Sequence, residues 1–316
     1  MAIAPGTPVA SKPPYGIIYK ALRGGGAIPF LGAGASMLGY RQGEAGCLPS
    51  GSELAKSLAR DAEFPSSNEA DLTDLLKVSS YYVDVSSRDL LRKELHSVFA
   101  DEKKNYRCND LHRFLAKIAN NMMVVTTNYD TLLEQAFLEA GKPYDLVVYP
   151  ADHEDYANAM FWWRHGVAEP DLLEPKKIDI DTLGKTNVIY KMHGSVRGEG
   201  GKWDSFVITE EDYIDFLSRI ESAVPSAFSE YFASRSFLFL GYGLRDWNLR
   251  VLLKKIRRNV GSLSGQPIPS QPTSWAMLLD PSAFERKLWD KRGVDLYDIK
   301  LEDFIVAMQE RLEPEP

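Results

Sequence analysis

The stretch Ala27-Ile28-Pro29-Phe30-Leu31-Gly32-Ala33-Gly34-Ala35-Ser36 decides the fold. Five apolar residues are too few for a helix but suit a strand buried on both faces, and the run stops at a turn of small residues. Glycine at 32 and 34 permits tight turns and a backbone approach in which amide N–H groups face a phosphate. The same letters also fit a plain tight turn. A dinucleotide fingerprint would place a third glycine at position 37, where Met37 stands, and a second strand ending in an acid about 20 residues on, where the pattern is helical. Both gaps count against an ordinary nicotinamide dehydrogenase.

Outward from this stretch the unit of apolar strand, abrupt turn and helix recurs. Met122 to Thr127 ends at Asn128-Tyr129-Asp130, followed by a helix over Thr131–Ala140 that Gly141 closes. Leu146 to Tyr149 is a further strand. Val188 to Met192 runs into His193-Gly194, and Phe237 to Leu240 into Gly241-Tyr242-Gly243. Asp246 stands where it would cap a helix over Trp247–Ile256, and Ser274 to Leu279 is the last strand expected. Helices are predicted over Tyr15–Arg23, from Gly51 to Arg60 behind the capping pair Ser50 and Glu53, through a block from Glu69 to Phe99 with starts near Asn68 and Ser87, over Asn109–Asn120, after Thr209, over Ala223–Ser234, and to a last end near Arg311. Ala151 to Lys185 reads as acidic and irregular, and Gly261 to Pro272 as a surface loop. Strands alternating with helices make a mostly parallel sheet covered on both faces, a Rossmann-like, doubly wound α/β fold. The expected organisation is a flexible arm over 1–14 and one domain over 15–316, with a helical insertion at about 51–105 and an irregular acidic insertion at about 150–186.

Composition narrows the function classes. The chain has 316 residues, with 37 Lys plus Arg against 44 Asp plus Glu, a formal charge of −7. A sequence-independent hold on nucleic acid needs a basic face, so none is expected; Lys254, Lys255, Arg257 and Arg258 read as a solvated helix face. No apolar run approaches the roughly 20 residues of a membrane helix, and Met1 to Pro14 lacks a secretion signal. Two cysteines, Cys47 and Cys108, cannot build a four-thiolate zinc site or a disulfide scaffold. A cytoplasmic location is expected.

Doubly wound sheets bind ligands beyond the carboxyl ends of their strands, so the residues just after the strands carry the chemistry. The Asn128 amide donates and accepts and could orient a water or a ribose hydroxyl; Asp130 could cap the next helix, and both also fit a turn-and-cap role. His193 alone among the five histidines lies directly at a strand end beside a glycine, because His96 and His112 sit in helical patterns and His153 and His165 in the acidic segment. A neutral imidazole can act as a base near pH 7, although a structural role is open. Gly241-Tyr242-Gly243 offers a second backbone wall for a nucleotide.

Taken in order, Gly32 to Ser36, Thr127-Asn128-Tyr129-Asp130, His193-Gly194 and Gly241-Tyr242-Gly243 resemble the four signature segments of the sirtuin fold. The likeness is greatest to the divergent sirtuin-like domains of bacterial anti-phage defence. Those carry a Leu-Pro-Ser-type segment after the glycine loop, as Leu48-Pro49-Ser50 here, and a Phe-x-Gly-x-Gly-x-x-Asp-x-Asn pattern matched by Phe239, Gly241, Gly243, Asp246 and Asn248. The resemblance spans Ala27 to Leu253. Three departures bear on substrate: the four-cysteine zinc ribbon of the deacylases cannot form, Thr127 stands where Gln is usual, and the Asp-Phe-Arg segment is absent.

The resemblance implies an NAD+ hydrolase without a metal, cleaving the nicotinamide–ribose bond to nicotinamide and ADP-ribose. It implies Asn128 and His193 as catalytic residues, with Gly32, Ala33, Gly34, Ser36, Thr127, Asp130, Gly241, Tyr242 and Gly243 around the NAD+. An NAD-depleting effector of abortive infection needs restraint, so a homo-oligomer or a regulatory protein encoded nearby is expected as the switch. Glu69–Phe99 and the Trp162-Trp163 segment are candidate contact surfaces, core packing being the other explanation for the tryptophans. The competing functions are a non-catalytic sensor of NAD or ADP-ribose, and an NAD-dependent deacylase or ADP-ribosyltransferase.

Overall fold

A computed structural model describes residues 12–39, 46–100, 104–153, 156, 159–197, 201–243, 253 and 273–312. Its strands are β1 (Ala27–Leu31), β2 (Met123–Thr126), β3 (Tyr144–Val148), β4 (Met160–Trp163), β5 (Asp171–Leu173), β6 (Asn187–Lys191), β7 (Gly194–Ser195), β8 (Ser205–Phe206), β9 (Ser236–Leu240), β10 (Ser274–Leu278) and β11 (Val294–Asp298). Nine form one sheet in the order β11-β10-β9-β1-β2-β6-β3-β4-β5, and β7 pairs with β8. Every pairing from β11 to β3 is parallel, while β4 and β5 join antiparallel.

Alternation explains why the central strands read as unbroken apolar runs. Along β1, Ile28 and Phe30 enter one core with Met123, Val125, Phe237 and Phe239, while Ala27 and Leu31 enter the other with Val124, Leu238 and Leu240. Both faces are covered, so neither parity can be polar. Helices Tyr15–Arg23, Asp110–Ile118, Leu132–Glu139 and Leu301–Gln309 supply Leu22, Phe114, Phe137 and Phe304 to the second core. Helices Glu210–Ser218, Ser226–Ala233 and Ala283–Asp290 supply Phe216, Phe228 and Trp289 to the first.

Helices Gly51–Asp61, Glu69–Leu72, Leu75–Val85 and Arg88–Phe99 share a smaller core of Leu54, Leu58, Val78, Leu91 and Leu95, closed by Phe206 and Ile208. Three of their starts are capping residues read from the sequence, while the fourth, Asp74 ahead of Leu75–Val85, was not. Ser50 and Glu53 make both bonds of a capping box, Asn68 accepts from the Ala70 amide, and Ser87 accepts from the Leu90 amide.

The structure corrects several sequence expectations. The segment over 151–185 is not irregular throughout: Met160 to Trp163 adds to the sheet edge. Asp145 of β3 organises this extension, accepting from Trp162 Nε1 at 2.9 Å, Arg164 Nη1 at 3.0 Å and the His165 amide at 3.0 Å. Trp162 and Trp163 are 1% and 2% exposed, so they are core residues and not a contact surface. The helix expected from Ala223 starts at Ser226, because Pro225 separates it from the turn Ile220–Ala223. Ala33–Ser36 is one turn of helix instead of a plain turn. Strand β11 and the helix before it were not anticipated; the two acids of Val294-Asp295-Leu296-Tyr297-Asp298 suit an edge strand and break the apolar run. Residues 1–11 of the expected arm, nearly all of the Trp247–Ile256 helix with Asp246 and Asn248, the four basic residues over 254–258 and the loop from Gly261 lie outside the described residues.

Candidate active site

Strand register brings the four sequence motifs to one level. Leu31 of β1 pairs with Thr126 of β2 and with Leu240 of β9, and Thr126 pairs with Lys191 of β6. Gly32, Thr127, Met192 and Gly241 are therefore the first residues beyond four neighbouring strands. The chain leaves β1 toward β2 on one side and reaches β9 on the other, so these ends open at the reversal of strand order, where doubly wound sheets form their crevice.

A cavity of about 370 Å³ occupies that crevice. Its lining includes all eleven residues singled out from the sequence: Asn128 and His193, with Gly32, Ala33, Gly34, Ser36, Thr127, Asp130, Gly241, Tyr242 and Gly243. That volume lies within the range of small-molecule sites.

The glycines have a second purpose that the sequence did not reveal. A Cβ on Gly32 would stand 2.7 Å from the Gly241 carbonyl oxygen, and one on Gly241 would stand 2.1 Å from the Ala35 nitrogen. The two strand-end turns thus pack backbone to backbone, joined by the Gly34 amide donating to Gly241 O at 2.9 Å. Gly241 also has φ +64°, a conformation that favours glycine. The Gly32, Gly34 and Ala35 amides donate within the protein, whereas the Ala33 amide, at the first helical position, has no backbone partner among the described residues.

Asn128 is held by both of its amide hydrogens. Nδ2 donates to Gly32 O at 3.0 Å and to Ser36 Oγ at 2.9 Å, and Ser36 Oγ donates to Asp130 Oδ2 at 2.8 Å. The other Asp130 oxygen accepts the Leu132 amide at 3.0 Å, although the N-cap of that helix is Thr131 and not Asp130. With both hydrogens engaged, the amide offers a ligand its carbonyl oxygen, an acceptor. His193 is nearly buried and stands edge-on to Tyr213 and Phe216, with ring centroids 5.5 and 5.0 Å away. The Gly194 that follows has φ +95°, and a Cβ there would lie 1.9 Å from Ser205 O.

The helical block completes the cavity with Leu54, Leu75 and Phe99, beside Met37 and Leu48. Tyr129 and Tyr213 add aromatic walls; burial pushes the Tyr129 phenol well above its ordinary pKa, and its hydroxyl donates to Val207 O at 2.6 Å. Leu48 and Tyr129 belong to segments quoted from the sequence, whereas Leu54, Leu75, Phe99 and Tyr213 did not stand out there. Their orientation depends on how the block packs, and a Leu on a helix carries no mark of which cavity it borders. No Lys or Arg lines the cavity among the described residues. The polar lining combines backbone amides that can donate, the Asn128 oxygen and Asp130 carboxylate that accept, the His193 ring and hydroxyls, beside an apolar pocket.

Fold and crevice together define a doubly wound α/β protein with a ligand site at its topological switch point. The chain belongs to the SIR2-like domain family, whose family model matches residues 122–297. It is 26% identical over 242 residues to the NAD(+) hydrolase ThsA of Cytobacillus dafuensis, covering 77% of this chain and 40% of that protein. It is 29% identical over 241 residues to the protein of the same name from Enterococcus faecium, covering 75% and 41%. A shorter match, 27% over 139 residues, joins it to the defense-associated sirtuin 2 of Bacillus subtilis, covering 44% and 11%. The chain spans about two fifths of the length of the hydrolases it matches. No helix among the described residues is long and apolar enough to cross a membrane.

Proposed function

We propose that the chain hydrolyses NAD+ at the nicotinamide–ribose bond. The observation that carries this is the convergence of Asn128 and His193, delivered from neighbouring strands β2 and β6, on one cavity. Support comes from the names of the relatives, two of which are NAD(+) hydrolases.

Cationic nicotinamide is a competent leaving group, so cleavage needs no general acid. The C1′–N bond breaks with its electron pair returning to the pyridinium nitrogen, and an oxocarbenium-like ribose develops. Water then adds at C1′ and releases one proton. The Asn128 carbonyl oxygen can accept a hydrogen from that water or from a ribose hydroxyl, turning the water's lone pair toward C1′. Ser36 and Asp130 keep the amide in this orientation through their hydrogen bonds. His193 can hold a ribose hydroxyl or take the released proton. Met37, Leu48, Leu54, Leu75 and Phe99 give the nicotinamide ring an apolar surface. The Ala33 amide is the donor for the pyrophosphate, and Gly241 to Gly243 flank the adenosine.

The test is nicotinamide release from NAD+ by purified protein. Asn128→Ala and His193→Ala are each expected to lower the rate at least 100-fold while the protein stays folded; full activity in both would remove the proposal. By the same reading the protein acts in anti-phage defence by depleting NAD+, restrained by self-association or by a regulatory protein encoded nearby, and it works in the cytoplasm as one domain with a helical insertion.

A further inference from the structure

Directly behind the candidate site lies a lysine that the steps above do not use. Lys191, the last residue of β6, is fully buried, and its ammonium meets a buried carboxylate, Glu134 Oε1, at 2.8 Å. The same ammonium donates to the carbonyl oxygen of Asp130 and, at 3.3 Å, to that of Tyr129. The ammonium thus hydrogen-bonds two consecutive carbonyls of the loop that carries Asn128 and faces one counter-charge, Glu134, in an ion pair without hydrogen-bond geometry.

Burying such a pair is costly, and apolar residues of similar size often fill the space with equal or better stability. Global stability therefore does not account for the charge. What it supplies is geometry. Lys191 pairs with Thr126 on β2 and precedes His193 by two residues, as Thr126 precedes Asn128. The Lys191 side chain reaches across to the Tyr129-Asp130 backbone and so ties the strand that leads to His193 to the loop that carries Asn128. Glu134, on helix Leu132–Glu139 that begins immediately after the loop, places a carboxylate against the ammonium. His112, also buried, is held neutral by that burial and adds no third charge.

We infer that Lys191, with Glu134 as its counter-ion, is the positioning residue of the site: its bonds to the Tyr129 and Asp130 carbonyls hold Asn128 in register with His193. This rests on the proposed NAD+ cleavage for its kinetic consequence, though not for its structural one.

The experiment combines hydrogen exchange with steady-state kinetics on the whole chain. Replacing both charges, Lys191→Met with Glu134→Met, removes the clamp without leaving one charge buried alone. The double variant is expected to melt at or above the wild-type temperature, to exchange the amides over 127–132 at least tenfold faster, and to release nicotinamide with kcat lowered at least tenfold and KM within threefold. Wild-type exchange over 127–132 in the folded double variant, or an unchanged kcat, overturns the inference. Should the double variant not fold, Glu134→Gln keeps length and shape while removing the counter-charge that faces the buried ammonium. It is expected to shift loop exchange and kcat the same way by at least threefold, and no shift in either overturns the inference. If wild-type protein releases no nicotinamide, exchange alone decides the positioning role, and it is the NAD+ assignment that falls.

Discussion

Asn128 and His193 are legible in the sequence because a polar residue directly after a buried strand has few places to go except the mouth of the sheet. Lys191 was equally visible, as a charge closing the buried strand Asn187–Lys191, yet the partners that make sense of it are loop carbonyls and a glutamate far away in sequence. The glycines were legible as turns, whereas their packing against each other required coordinates. Gly241→Ala tests that packing: left-handed backbone and a 2.1 Å approach to Ala35 N predict a loss of about 2–4 kcal/mol in chemical unfolding. His112 sets a pH dependence. Burial pushes its pKa down to about 4, against about 6.5 in the unfolded chain. Above the unfolded value both states are neutral; as pH falls toward 4 the unfolded chain alone takes up the proton, and up to about 3 kcal/mol of stability is lost. His112 also accepts the Asn109 amide in a capping box, a role Gln can fill. Urea midpoints of His112→Gln are therefore expected to fall less than those of wild type between pH 7 and pH 4.5.

At the scale of elements, helix starts were read most securely because a cap is a local bond within one turn. Strands β4, β5 and β11 were missed because their identity comes from a neighbouring strand. The helical block is tied to the rest of the domain by charge as well as by its own core. Arg88 bonds Asp212 Oδ2 at 2.8 Å, Asp152 Oδ2 at 3.0 Å and Phe206 O at 2.8 Å. Arg92 adds a second bond to Asp152 at 3.1 Å, and His96 Nδ1 lies 2.6 Å from the buried Asp204. Arg88→Met would leave two largely buried carboxylates short of a partner. The expected loss is about 2–4 kcal/mol, reduced from the fully buried case because the Arg88 side chain is 25% exposed. Since this block supplies Leu54, Leu75 and Phe99 to the cavity, the KM for NAD+ is expected to rise in the same variant. An unchanged KM would mean that the apolar wall contributes little to binding.

For the whole molecule, the order β11-β10-β9-β1-β2-β6-β3 with the reversal at β1 gathers four segments, from Gly32 to Gly243, at one crevice. That convergence is a property of topology and register, which is why four weak motifs are informative together and ambiguous alone. Control is expected at the same scale. Light scattering should give a mass above that of one chain, or turnover should require the neighbouring gene product; a monomer active on its own would contradict this. The most direct measurement is the time course of nicotinamide release from NAD+ by wild type, Asn128→Ala and His193→Ala at matched concentration, with far-UV circular dichroism of each. Release by wild type alone, with all three proteins folded, is the expected result. Undiminished release by both folded variants would contradict the assignment of Asn128 and His193.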